Sequence, residues 1–300
     1  MLCRLLIFVL LTVACQSYAA IEVIDDNGDW HRLDKPANRI ISLSPSTTEI
    51  LFYIGAGEQI VGADEYSNYP QQANQIPRVN NHATANYELI LSLKPDLVIA
   101  WQSGNGQKII ERIRQLGIPV FVVEPSRVDA IPMLFKRLGQ LSGHSLEAHK
   151  KAAAYAEQLQ LLRRANQHKP EVRVFYEVWH DPLITLNGRH IVSDVIELCG
   201  GVNTFADSLA LVPYVNIESV LALDPQIIIA GGEKDRLSLL ARWEKWRSLS
   251  AVKNKHLYSI SSDLMQRHAG RFLDGVELVC EYIDRARVGE NIPASVDSNL

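Results

Sequence analysis

The sequence predicts an α/β fold of two similar lobes, each a mostly parallel sheet flanked by helices, joined by one long rigid helix. Three observations predict it. A unit of helix, proline and strand occurs twice. Strands alternate with helices around both copies, the pattern of a parallel layer. A 23-residue run without glycine or proline lies between the copies.

The first copy, residues 86–101, reads NYELILSLKPDLVIAW. Its first half has the apolar spacing of a short amphipathic helix. Pro95 ends that helix, because proline offers no amide hydrogen and restricts the residue before it. Asp96–Trp101 is then an apolar run, as in a strand covered on both faces. The second copy, residues 217–232, reads IESVLALDPQIIIAGG, at an offset of 130. Glu88 registers with Glu218, Leu91 with Leu221, Leu93 with Leu223, Pro95 with Pro225 and Ile99 with Ile229.

The other elements follow in order. Ile21–Ile41 reads as a small hairpin turning at Asp25–Asp29. Arg39–Leu43 is a strand, and Ser46-Thr47-Thr48-Glu49 reads as a capping box opening a helix to Tyr53 or Ile54. Gln59–Ala63 and Pro119–Glu124 are strands, and Gly104–Leu116 and Val128–Leu141 are helices. Ser145–Gln167 can form one uninterrupted helix of about 35 Å; a flexible linker would be rich in glycine or serine instead. A packed helix inside one large domain is the alternative. Val172–Val178 restarts the second lobe, and Ile184–Leu186 extends to a turn at Asn187-Gly188. Ile191–Cys199 is a helix stopped by Gly200-Gly201. Leu237–Trp246 is a helix, Leu257–Ile260 a strand, and Phe272–Arg287 the last helix.

The first 19 residues differ from the rest. Arg4, an apolar run Leu5–Ala14 and the small residues of Ser17-Tyr18-Ala19 form an export leader, too short for a membrane span. A lipidated N-terminus at Cys15 is the minor alternative. Without Arg4 the mature chain has 29 basic and 34 acidic residues, a net charge of −5. That argues against nucleic acid or an anionic membrane as the main partner. Of four cysteines only Cys199 and Cys280 remain after the leader. An even pair in an exported chain predicts a disulfide, with two buried thiols as the alternative. The division is 1–19 leader, 20–125 N-terminal lobe, 126–167 connecting helices with the spine 145–167, 168–288 C-terminal lobe and 289–300 flexible tail.

Catalytic signatures are missing. Gly104-Asn105-Gly106 lacks the third glycine of a dinucleotide loop, and there is no phosphate loop, HExxH or GxSxG. No metal-binding or catalytic residues are assigned, and no cofactor is expected. The loops instead carry aromatic and polar residues at presumed cleft positions. The first half supplies Tyr66, Tyr69, His82 and Trp101. The second supplies Trp179, His180, Asp181, Tyr214, Asp263, Arg267 and His268. Aromatic walls with a few polar anchors suit a large, flat, partly apolar ligand. Each aromatic alone is equally compatible with ordinary packing. Glu88 and Glu218 serve either as helix-dipole partners or as acidic knobs presented to arginines of a docking partner.

RIISLSPSTTEILFYIGAG, YSNYP, NYELILSLKPDLVIAW, the mid-chain helix, ELCGG and IESVLALDP resemble the periplasmic solute-binding proteins hinged by a single helix (class III). This family serves siderophore, haem and cobalamin (vitamin B12) uptake through ABC importers, and the resemblance is to its cobalamin-binding members. It covers nearly all of Asn38–Arg287. It implies that Tyr66 and Trp101 line a corrinoid cleft with Asp263 near the ligand. It also implies that Glu88 and Glu218 dock onto permease arginines and that Cys199 pairs with Cys280. His82 and Val212 stand where cobalamin-binding relatives carry cleft tryptophans; Trp179 and Tyr214 are candidates to compensate.

The expectation is a monomeric periplasmic binding protein, not an enzyme. It captures cobalamin or a related corrinoid between its lobes, with Tyr66, His82, Trp101, Trp179, Tyr214, Asp263 and Arg267 as contacts, and delivers it to a membrane permease. Haem or a ferric siderophore is the alternative ligand. An exported hydrolase or metalloenzyme is the alternative class.

Overall fold

The computed structural model describes residues 20–81, 83–232 and 241–288. The leader, His82, the stretch 233–240 and the tail 289–300 lie outside the described residues; of the helix expected over Leu237–Trp246, residues 237–240 fall there, and residues 242–246 are turn and irregular chain, not helix.

Strands β1 (Ile21–Ile24) and β2 (Trp30–Leu33) form the expected antiparallel hairpin. A five-stranded parallel sheet follows, built from β3 (Ile40–Ser42), β4 (Ile60–Asp64), β5 (Arg78–Asn80), β6 (Leu97–Trp101) and β7 (Val120–Val123), in the order β5-β4-β3-β6-β7. A separate four-stranded parallel sheet holds β8 (Val172–Glu177), β9 (Gly201–Asn203), β10 (Ile227–Gly231) and β11 (Leu257–Ile260), in the order β11-β10-β8-β9. In each sheet the strand order reverses beside the strand that opens it. Such a switch point leaves a crevice at the carboxyl ends of the strands.

The helices of the first half are α1 (Pro45–Tyr53), α2 (Tyr87–Ser92), α3 (Gln102–Gln115) and α4 (Ala130–Ser142). The mid-chain helix α5 spans Ser145–Asn166, one residue short of its expected end. Its buried Ala148, Ala152, Tyr155 and Leu159 fall on one helical stripe. The second half adds α6 (Ile191–Leu198), α7 (Ile217–Leu223), α8 (Ser250–Lys253), α9 (Ser262–Gln266) and α10 (Phe272–Val288).

The duplicated unit is duplicated in detail. Asn86 and Asn216 cap α2 and α7, their side chains accepting from Leu89 N and Ser219 N. Lys94 and Asp224 both turn through a left-handed backbone, at φ 48° and 40°, just before the proline. Arg39 and Arg173 then donate Nε to the carbonyls of those residues, at 3.2 and 3.0 Å. In β6, Leu97 and Ile99 face one core while Val98 and Ala100 face another. In β10, Ile227 and Ile229 face that same first core and Ile228 a third. Alternation with both sides apolar is why each strand reads as a continuous hydrophobic run. Each fully buried aliphatic side chain contributes about 1.5–3 kcal/mol relative to exposure.

The core between the sheets is shared: Ile40 and Phe121 of the first sheet belong to one cluster with Val174 and Tyr258 of the second. Residues of α1, α4, α5, α6 and α10 complete it. Cys199, just after α6, is disulfide-bonded to Cys280 on α10.

Two local readings are corrected. The cap of α1 is Ser44, whose Oγ accepts from Thr47 N, and Pro45 takes the first helical position. Glu49 therefore sits in the helix interior, free to make contacts other than a capping box. Ile184–Leu186 forms no strand. Ile184 makes single bridges to Trp179 and Tyr214.

Candidate functional site

A cavity of about 380 Å³ opens where the two lobes face each other. Four strand ends supply its walls. Leu43, Ser44 and Ser46 follow β3; Asp64, Tyr66 and Asn68 end or follow β4; Trp101, Gly104 and Asn105 end or follow β6. The opposing wall is Ser262, Asp263, Gln266 and Arg267, at α9 beyond β11. Three of the four strands belong to one sheet and the fourth to the other, so the cavity is assembled at the carboxyl edges of both, as the strand order requires.

Tyr66, Trp101, Asp263 and Arg267, all singled out by sequence, come together here. Tyr66 is half exposed and Trp101 partly buried at the last position of β6. Arg267 is nearly buried, and both its terminal nitrogens meet protein acceptors. Nη1 reaches Glu49 Oε1 at 3.1 Å and Asn68 Oδ1 at 2.7 Å, and Nη2 reaches Asp263 Oδ1 at 2.7 Å. It thus shapes the wall while tied to both lobes. Arg271 joins it on Glu49, at 2.6 Å to Oε1, and lies 3.6 Å over the ring of Tyr69. Burial works against the Arg271 charge, but the hydrogen bond and charge of Glu49 outweigh it and raise the guanidinium above its ordinary value.

Trp179 and Tyr214 do not line this cavity. Both are exposed on the second lobe, where Ile184 bridges their backbones and Trp179 Nε1 donates to the carbonyl of Asp181 at 2.9 Å. Val212 is exposed on the same segment. His180 Nδ1 lies 3.5 Å from the buried Glu177, which Arg242 and Trp243 Nε1 also contact. His268 is buried edge-on to Phe272, and desolvation, with the neighbouring His190, pushes it down to about 3. It faces a small void beside Ser44, Ser46 and Trp101.

Asp64, at the end of β4, accepts from Tyr66 N at 2.9 Å and Asn80 Nδ2 at 2.8 Å. Desolvation nevertheless raises its carboxyl above the usual value. Sequence reasoning missed Glu49, Asn68 and Arg271, whose contacts span about 200 residues. It also missed Asn105, which lay in plain view within the glycine pair. Glu88 and Glu218 stand exposed at the second positions of α2 and α7, with no ion-pair partner among the described residues.

Among the described residues no group of three or more His, Cys, Asp or Glu is placed to hold a metal ion. No helix among them is long and apolar enough to cross a membrane.

Two α/β lobes on one connecting helix, with an aromatic and polar cavity at their facing strand ends, define a solute-binding protein. The family model described as periplasmic binding protein matches residues 40–264. The chain belongs to that family. It is 40% identical over 253 residues to a vitamin B12-binding protein of Vibrio cholerae serotype O1, covering 84% of this chain and 91% of that one. A vitamin B12-binding protein of Yersinia pestis is 34% identical over 245 residues, covering 82% and 86%. The crystal structure of the Vibrio cholerae periplasmic vitamin B12 binding protein superposes with a TM-score of 0.78 at 40% identity, covering 84% of this chain and 98% of that one. A periplasmic haem-binding protein from Roseiflexus, at 22% identity and a TM-score of 0.73, covering 83% and 99%, shares the fold.

Proposed function

We propose that this protein captures cobalamin or a related corrinoid in the cavity between its lobes and delivers it to an ABC-importer permease in the inner membrane. The observation that carries this reading is the meeting of Tyr66 and Trp101 with Asp263 from the opposite lobe, in a chain 40% identical to a vitamin B12-binding protein. A corrin ring is broad and flat with polar amides at its rim. Aromatic faces below and polar side chains opposite suit it. Trp179 and Tyr214 are exposed apolar surface on the second lobe, outside the cavity lining. Under this reading the protein needs no resident cofactor, acts as a monomer and works in the periplasm after its leader is removed.

Glu88 and Glu218 are the docking residues of this reading. They occupy the same position in two copies of one structural unit, both exposed, which suits a two-point contact with arginines of a permease. Lobe motion is small, because α5 is unbroken and one core spans both sheets.

The test is a binding panel. Purified mature protein is titrated with cyanocobalamin, haemin and a ferric siderophore, followed by absorbance and calorimetry. Saturable binding of cyanocobalamin at one molecule per chain, in preference to the other two, is the expected result. Preference for haemin or the siderophore overturns the ligand assignment and leaves the fold assignment intact.

A further inference from the structure

Gly104-Asn105-Gly106 has no part in a dinucleotide loop, and the cleft reading alone does not account for it. Its first two residues lie against Trp101. An ideal Cβ on Gly104 would fall 2.6 Å from indole Cδ2 and closer still to Cε3. The backbone of Gly104 is ordinary, so the requirement there is for space and not for an unusual φ. Asn105 is buried, and its side chain makes two bonds. Oδ1 accepts from Trp101 N at 2.7 Å, and Nδ2 donates to the carbonyl of Leu43, at the end of β3, at 2.8 Å. Gly106 breaks the helical path at φ 74°, ψ 153°, within α3.

We infer that Gly104 and Asn105 are positioning residues for the ligand-binding aromatic Trp101. Gly104 leaves the space that the six-membered ring of the indole occupies at the start of α3. Asn105 pins the backbone of Trp101 to the end of β3, fixing where the ring begins. A side chain at position 104 drives the indole out of that space and toward the cavity mouth, where it occupies space the ligand needs. The clash is with a ring that can rotate, so the cost falls on ring placement and not on the fold. This inference rests on the reading of the cavity as the ligand site.

The test is a double-mutant cycle on the purified mature protein, with cyanocobalamin as the calorimetric probe and near-ultraviolet circular dichroism reporting the indole environment. Gly104→Ala is expected to weaken binding about tenfold, the scale of a displaced aromatic anchor, and to change the tryptophan dichroism. In a Trp101→Ala background the same substitution is expected to change affinity less than about twofold, because the group it displaces is gone. Should Gly104→Ala lower the melting temperature, Trp101→Ala restores it by making room for the methyl. Asn105→Ala serves as the second variant, with the same dependence on the indole. Weakening by Gly104→Ala of equal size in both backgrounds overturns the positioning role. So does unchanged affinity in Gly104→Ala when Trp101→Ala alone weakens binding; either result leaves the cavity reading standing. Unchanged affinity in Trp101→Ala overturns both.

Discussion

Arg267 Nη1 lies 3.1 Å from Glu49 Oε1, a contact between residues 218 positions apart that ties the second lobe to the first helix of the first lobe. Arg271 binds the same carboxylate, whose side chain is 3% exposed. Two cations converge on one buried anion, with Asp263 balancing Arg267 from its outer side. Removing the shared anion leaves two guanidiniums facing each other in a desolvated seam. Glu49→Ala is expected to cost about 3 kcal/mol of unfolding free energy, measured in urea. A loss below about 0.5 kcal/mol, the range of a surface substitution, would show that the seam is wet and the tie weak.

The Cys199–Cys280 bond joins the end of α6 to α10 and closes a loop of 81 residues in sequence separation. In the chain-entropy model such a loop is worth about 4 kcal/mol. Replacing both cysteines with serine is expected to lower the melting temperature by roughly 10 °C for a domain of this size. The same drop should follow dithiothreitol treatment of the wild type and be absent when dithiothreitol is added to the double variant.

His268 and His190 are held well below the ordinary histidine value, at about 3 and about 4, chiefly by desolvation. Both are neutral in the folded protein over most of the range, whereas the unfolded chain takes up protons near pH 6.5. The unfolded state therefore binds more protons below that point, and stability falls as the pH drops from 6.5 toward 4. Each histidine contributes a slope of at most about 1.4 kcal/mol per pH unit. Desolvation raises Asp64 and Asp274, which act in the opposite sense at the acid end. Melting curves between pH 7.5 and 4.5 should show the decline, and His268→Gln should make it shallower. An unchanged slope in that variant contradicts the burial of His268.

Reversing both acidic residues, Glu88→Lys with Glu218→Lys, is expected to leave cyanocobalamin affinity within about twofold, since both lie outside the cavity and distant sites act independently. Uptake by cells that depend on this protein should be lost. Uptake at the wild-type rate would remove these two residues from the docking account. Each single variant should retain part of the activity, because the remaining lobe still presents its carboxylate.

Much of this was legible in the sequence because it rests on local pattern. The offset of 130 located both copies of the helix–proline–strand unit, and its apolar runs located β6 and β10. The unbroken composition of Ser145–Gln167 located α5 to within a residue. Trp101 was legible as a cleft residue because an aromatic ends a buried strand. Short elements were not legible: β5 and β9 have three residues each and α9 has five, too few for periodicity to speak. Glu49 was misassigned because S-x-x-E is a capping signature, and Pro45 shifts the helix start ahead of it. Its partners lie two hundred residues downstream, where no spacing rule reaches. Asn105 was passed over because its role depends on Leu43 and Trp101 meeting across two strands.

The central claim is that a corrinoid sits at the facing carboxyl edges of the two sheets. A crystal structure of the mature protein grown with cyanocobalamin tests it most directly. The expected result is one corrin ring per chain, in contact with Trp101 and Tyr66 on one side and with the Asp263 segment on the other. A ring bound elsewhere on the surface, or that cavity empty at saturating cyanocobalamin, would contradict it.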